Sequence, residues 1–158
     1  MRRLVPPFLF LTILVLAGSI AHPQTAGYYP KGGPDYADES VSLVQLIANP
    51  ERYDKKIVRF IAYLHLEFEG DAVYLHRDDF EHAISNDAIW INLPRDIKAD
   101  EKTAVNDRYV ICTARFVAGR HGHMGMFAGE LEDVTRLEVW PFVRGEKDEL
   151  PPPPKLKK

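Results

Sequence analysis

The sequence predicts a mainly β fold, a small closed Greek-key barrel of five strands. A short helix leads the first strand, and another lies between the third and the fourth. Three observations carry this. Apolar residues alternate at period two through five separate stretches between Ile57 and Trp140. Gly, Pro and Asp clusters punctuate those stretches, as turns require. The segment holding them, Ser40–Val143, is roughly 100 residues long, a size at which closing five strands removes the unpaired sheet edges.

Ser40 or Ser42 can cap the first helix, because a side-chain oxygen accepts from an unpaired first-turn N–H. Leu43, Leu46 and Ile47 form its apolar stripe, and Asn49-Pro50 ends it, since a residue before proline avoids the helical region. Arg52–Lys56 reads as the turn into strand one, Ile57–Phe68. Val58, Phe60, Ala62, Leu64, Leu66 and Phe68 share one face of it; Arg59, Tyr63, His65 and Glu67 share the other. Glu69-Gly70-Asp71 is a hairpin turn into strand two, Ala72–His76. Arg77–Ala83 is polar, a short helix or turn. Ala88–Leu93 is strand three, stopped by Pro94, and Lys98–Val105 has room for one or two helical turns. Strand four is Arg108–Ala118, with Val110, Cys112, Ala114 and Phe116 on one face. A Gly- and His-rich loop, Gly119–Gly125, leads to strand five within Met126–Trp140, bent near Asp133. Strand one is long enough to bend and serve both halves of the barrel.

Leu43-(x)2-Leu46-(x)2-Asn49, followed by Tyr53-x-x-Lys56-x-Val58-x-Phe60-x-Ala62, resembles the entrance to the OB-fold domains of the anticodon-binding-like group. Those domains often lead with a short helix, a Y-x-G-K turn and a strand ending in Gly. Here Lys55 stands where the turn Gly is usual, and Ala62 where the strand Gly is usual. The resemblance covers residues 43–68 in detail and the rest of the core in outline. It implies an OB-like barrel. It implies no particular activity, because such barrels host many unrelated sites, and no functional residue is carried over from it.

The flanks differ in kind. Arg2 and Arg3, an apolar run from Phe8 to Ala17 and the small residues Ser19 and Ala21 have the form of a secretory leader cut after Ala21. An uncleaved anchor is the alternative, but Pro6 and Pro7 shorten its usable helix. With no cysteine near the cut, lipid attachment there is excluded. Residues 22–39 read as a flexible linker, and residues 144–158, with four consecutive prolines and Lys155, Lys157 and Lys158, as a disordered tail. Three lysines are too few to hold anionic lipid strongly. Without the leader, 18 Lys and Arg remain of the 20, against 23 Asp and Glu. That acidic balance disfavours nucleic acid, which needs clustered bases. The lone Cys112 excludes an intramolecular disulfide, and its apolar alternation predicts burial.

Two constellations carry candidate chemistry. Tyr63 and His65 on strand one, Tyr74 and His76 on strand two and Trp90 and Asn92 on strand three fall on one outer face. In OB folds that face, with the loops after strands one and four, forms the ligand groove. Exposed aromatics there can stack on a ligand or anchor in a partner; the plain alternative is that these rings only cover the barrel exterior beneath the N- and C-terminal arms. The nearby Glu67, Glu69, Asp71, Asp78, Asp79 and Glu81 favour a protein, a peptide or a small cationic ligand over nucleic acid. The second is the loop with His121, His123, Met124 and Met126, whose imidazoles and thioethers suit Cu or Zn; the plain alternative is an exposed tight loop. In Arg77–His82 a carboxylate beside a His suggests a general base, but no activated nucleophile accompanies it, and Asp78 and Asp79 suit a helix N-terminus.

The sequence therefore points to an exported, non-enzymatic binding module for a protein, a peptide or a small extracytoplasmic molecule. A periplasmic Cu- or Zn-binding protein is the alternative, and no membrane span is expected once the leader is cut. Mass spectrometry of the chain recovered from its native compartment should find a mature N-terminus at His22. A chain still starting at Met1 would leave the leader as an anchor.

Overall fold

The computed structural model describes residues 27–28 and 36–141. The expected leader, most of the expected linker and the tail from residue 144 lie outside the described residues. In chain order the elements are β1 Gly27–Tyr28, β2 Glu39–Ser40, α1 Leu43–Ala48, α2 Pro50–Tyr53, β3 Ile57–His65, β4 Ala72–Tyr74, α3 Arg77–Glu81, β5 Ala88–Ile91, α4 Ala99–Val105, β6 Arg108–Val117 and β7 Glu130–Val139. None of the described helices is long and apolar enough to cross a membrane.

Five strands close into an OB-like barrel. β3 pairs antiparallel with β4, β4 with β5, β5 runs parallel to β7, β7 pairs with β6, and β6 returns to β3. The expected sharing of the first barrel strand is present: β3 pairs with β6 from Ile57 to Leu64 and with β4 from Tyr63 to His65. Val58, Phe60, Ala62 and Leu64 fill the interior with Val110, Cys112, Ala114 and Phe116, as the alternation requires. Cys112 is fully buried, and burial pushes its thiol up to about 12. β7 bends at Asp133, which takes the left-handed φ of 50° beside a register shift in its ladder with β6. Arg115 Nε donates to Asp133 Oδ2 at 3.0 Å and secures the bend.

Ser42 caps α1: its Oγ accepts from the Gln45 N–H at 3.2 Å, and Gln45 Oε1 accepts from the Ser42 N–H at 2.8 Å. Arg52 and Tyr53, expected as the start of the turn into the first barrel strand, belong instead to the helical turn α2, because Pro50 at its start needs no N–H partner. Its Tyr53 enters the core. Lys55 takes φ 64°, the left-handed conformation that glycine supplies in the resembled turn.

The stretch 22–39 is not all linker. Tyr28 pairs opposite Leu137 of β7 and is buried, with its hydroxyl donating to Asp96 Oδ1 at 2.9 Å. Burial and that hydrogen bond raise the phenol to about 12. Glu39 and Ser40 run parallel to β3. The sequence hid this because a two-residue strand has no period. β1 pairs with β7 at Leu137 and Glu138, beyond the stretch that pairs with β5 at Glu130 and Leu131, and lies beside α4, so Tyr28 joins the core at that end of β7. Tyr28→Ala should lower stability by about 3 kcal/mol, on the scale of large-to-small core changes, and Tyr28→Phe by about 1 kcal/mol. Chemical denaturation checks both, and an unchanged midpoint for Tyr28→Ala would show that the strand does not anchor the wall.

Candidate functional site

Strands β3, β4 and β5 present apolar side chains on both faces. Outward-facing Tyr63, Ala72, Tyr74 and Ala88 form a second cluster with Phe127, and Phe80 and Trp90 pack against it. Tyr63 and Tyr74 are buried, and burial raises both phenols. Expected as exposed stacking platforms, these rings are instead covered, because two segments of the chain lie over them.

The first cover is α3. Asp79 Oδ2 accepts from the His76 N–H at 2.8 Å, so Asp79, in the first turn, caps this helix from within, as its place there suggested. The helix lays Phe80 on the face: its ring stacks on His65 at 3.7 Å and stands near-perpendicular to Tyr74 at 5.5 Å. His65 is held in plane, with Nδ1 2.6 Å from Asp107 Oδ1 and Nε2 3.6 Å from Glu67 Oε2. Tyr63 also donates to Asp107, at 3.3 Å. His65 is thus a strut between strand, helix and turn, with Asp107 its partner at φ 57°. His76 itself is exposed at the start of α3.

The second cover is the β6–β7 loop. Gly122 lies flat on Trp90: a Cβ there would stand 2.6 Å from Trp90 Cβ. Its φ of 60° is a further reason for glycine. Phe127 meets the Trp90 ring edge-on at 5.4 Å. His121 Nδ1 lies 2.9 Å from the Phe127 carbonyl oxygen, and the Phe127 N–H donates to the His121 carbonyl, so residues 121–127 close on themselves. His123 Nε2 reaches Glu69 Oε2 of the β3–β4 loop at 3.7 Å. The two loops therefore meet across the outer face.

Trp90 is half-buried, and its Nε1 donates to Asn92 Oδ1 at 3.0 Å. Asn92 Nδ2 donates in turn to Glu130 Oε1, and Arg120 Nη1 bridges Glu130 and Glu132 at 3.4 and 2.8 Å. Those carboxylates hold the Arg120 guanidinium above its ordinary range, Glu132 most of all.

His121 and His123 serve different partners, and Met124 and Met126 point to solvent at 81% and 43% exposure. Among the described residues no three His, Cys, Asp or Glu side chains are gathered to hold a metal ion. The loop is packed for shape: Met124 takes φ 54° and Gly125 φ 71°, which lets the chain reverse over Trp90.

The prominent exposed group was expected in the interior. Phe68 is 91% exposed, because β3 ends at His65 and the alternation ends with it. The signal was the Glu69-Gly70-Asp71 turn directly after Phe68. Phe68 and Met124 thus project from two loops that touch through Glu69 and His123.

No protein-family model matches the chain, and no curated protein does. Among solved structures, one described as an aspartyl-tRNA synthetase from Leishmania major Friedlin is similar over 73% of this chain, at 11% identity and a TM-score of 0.41. This chain spans 23% of that one. The OB-like assignment rests on the strand pairing itself.

Gly122→Ala should lift the loop from Trp90 and lower stability by about 1–3 kcal/mol, the range for a strained backbone position. In a Trp140→Phe background, acrylamide should then quench Trp90 more efficiently. Quenching identical to that of the parent would show that the loop is not seated on the ring.

Proposed function

We propose that this chain is an exported, non-enzymatic OB-fold binding module that engages a protein or peptide through the rim where its β3–β4 and β6–β7 loops meet. The observation that carries this is the exposure of Phe68 and Met124, 91% and 81%, on two loops joined by the Glu69–His123 pair. Large apolar side chains held this far into water cost free energy that burial against a partner recovers. Trp90 and Asn92 stand behind them with a polar network that fixes orientation. Tyr63, His65 and Tyr74 support that rim from beneath as covered groups. Export rests on the leader form of residues 1–21.

A photo-crosslinking amino acid at position 68, in the full chain expressed in its host, should give a discrete polypeptide adduct on irradiation. The same group at Asp100, exposed on α4, serves as the control. Adducts no stronger at 68 than at 100 would overturn the reading.

A further inference from the structure

The rim has a charge as well as an apolar face. From His65 to Asp87 the chain carries seven Asp and Glu against a single Arg and no Lys. The fold gathers that run on one side: it forms the end of β3, the β3–β4 loop, β4, α3 and the turn into β5. Glu67, Glu69, Asp78, Glu81 and Asp87 are all exposed there. Large apolar side chains stand exposed on this run and on the β6–β7 loop that meets it: Phe68 and Ile84, the latter at 42%, on the run, and Met124 and Met126 on the loop. The contacts that place them together are Glu69 with His123, Phe80 on His65, and the Ala128 N–H donating to the Ala88 carbonyl at 2.9 Å.

We infer that the occupant of this rim is a polypeptide segment both cationic and apolar, with Lys or Arg flanking aliphatic or aromatic residues. This rests on the binding role proposed above and names its partner class. An anionic lipid surface or a nucleic acid backbone would meet the negative surplus of this run, with Glu67 and Glu69 on either side of Phe68 in the chain, and be repelled. A neutral apolar segment would bury Phe68 and Met124 but leave the surplus of negative charge unanswered, since Arg77, the one Arg of the run, is already paired with Glu81 at 2.8 Å and Glu67 and Glu69 face only the imidazoles of His65 and His123. A cationic apolar segment satisfies both: its aliphatic groups cover the two tips while its ammonium or guanidinium groups meet Glu67, Glu69 and Asp78. Methionine suits such a surface, since its flexible thioether adapts to different side chains.

The test uses three synthetic peptides that share one leucine pattern and carry Lys, Gln or Glu at the remaining positions. Their binding to the full mature chain is followed by fluorescence anisotropy at low and high salt. The Lys/Leu peptide should bind, the Gln/Leu peptide roughly tenfold more weakly and the Glu/Leu peptide not at all. Affinity for Lys/Leu should fall with added salt, as screening shortens the reach of the carboxylates. Glu67→Gln/Glu69→Gln/Asp78→Asn should erase the preference for Lys over Gln. Phe68→Ser/Met124→Ser should weaken Lys/Leu binding roughly tenfold at any salt, the scale of losing an anchor side chain. Each variant's melting temperature confirms that it folds. Equal binding of Lys/Leu and Gln/Leu, lost in Phe68→Ser/Met124→Ser, would overturn the cationic class while leaving the binding role intact. Lys/Leu binding untouched by both variants would overturn this surface. No peptide binding overturns the inferred class, and the crosslinking result at position 68 then decides the binding role separately.

Discussion

Where β3, β4 and β5 pair, the sheet buries both of its faces, and much of this molecule follows from that constraint. β3, β4 and β5 send Leu64, Val73 and Ile89 into the barrel and Tyr63, Tyr74 and Trp90 out of it. A sheet with aromatic rings on its outer side is unstable in water until something covers them. Here the chain supplies the cover, from α3 through Phe80 and from the β6–β7 loop through Gly122 and Phe127. The requirement explains the glycine at 122, the left-handed Met124, the Asp79 cap in the first turn of α3, and the His65 strut between Asp107 and Phe80. Each is a local device that holds a cover in place.

That cover also moves the exposed apolar surface. In an OB barrel the outer face of the second and third strands is an open groove. Filling it with the chain's own side chains displaces the exposed apolar surface outward, onto the turns of the covering and flanking loops. Phe68 and Met124 are where that displacement ends. The rim is acidic for a related reason: α3 begins with Asp78 and Asp79, which suit the positive end of a helix, and the adjoining β3–β4 loop contributes Glu67 and Glu69. One short run of sequence therefore provides both the cover and the charge.

Much of the barrel was legible because period-two alternation is strong where one face is fully buried. Val58 to Leu64 and Val110 to Phe116 place themselves, and even the bend at Asp133 could be anticipated. The parts that were not legible share a physical cause, namely that a pattern says which residues are apolar but not which side closes over them. Tyr63, Tyr74 and Trp90 were correctly placed together on the outer face, yet their exposure depended on Phe80 and Phe127, which come from segments with no period. Phe68 continues the inward alternation by count and leaves it by geometry, because pairing stops three residues earlier. Tyr28 sits in a stretch of Gly, Tyr and Pro that reads as linker, and only its partner Leu137 and acceptor Asp96 make it core. His121 and His123 looked like a ligand pair because they are two apart, which puts side chains on one side only in an extended strand. The loop is not extended at Gly122, so the two rings go to Phe127 and Glu69 instead.

The Glu69–His123 contact shows how these features bear on one another. Glu69 takes φ 58°, a conformation unusual outside glycine, and Met124 beside His123 takes φ 54°. Both strained residues adjoin the exposed tips, Phe68 before Glu69 and Met124 after His123. A flexible loop tip would fold its apolar side chain back onto the surface, so holding two such side chains in solvent requires a fixed backbone beneath them. The covered aromatic face provides that base: Gly122 and Phe127 seat one loop on Trp90, while β3 and β4 anchor the other through their ladder. For the binding role proposed above, the buried rings would contribute rigidity, because a partner that meets pre-set anchors loses less conformational freedom on association than one that must order them.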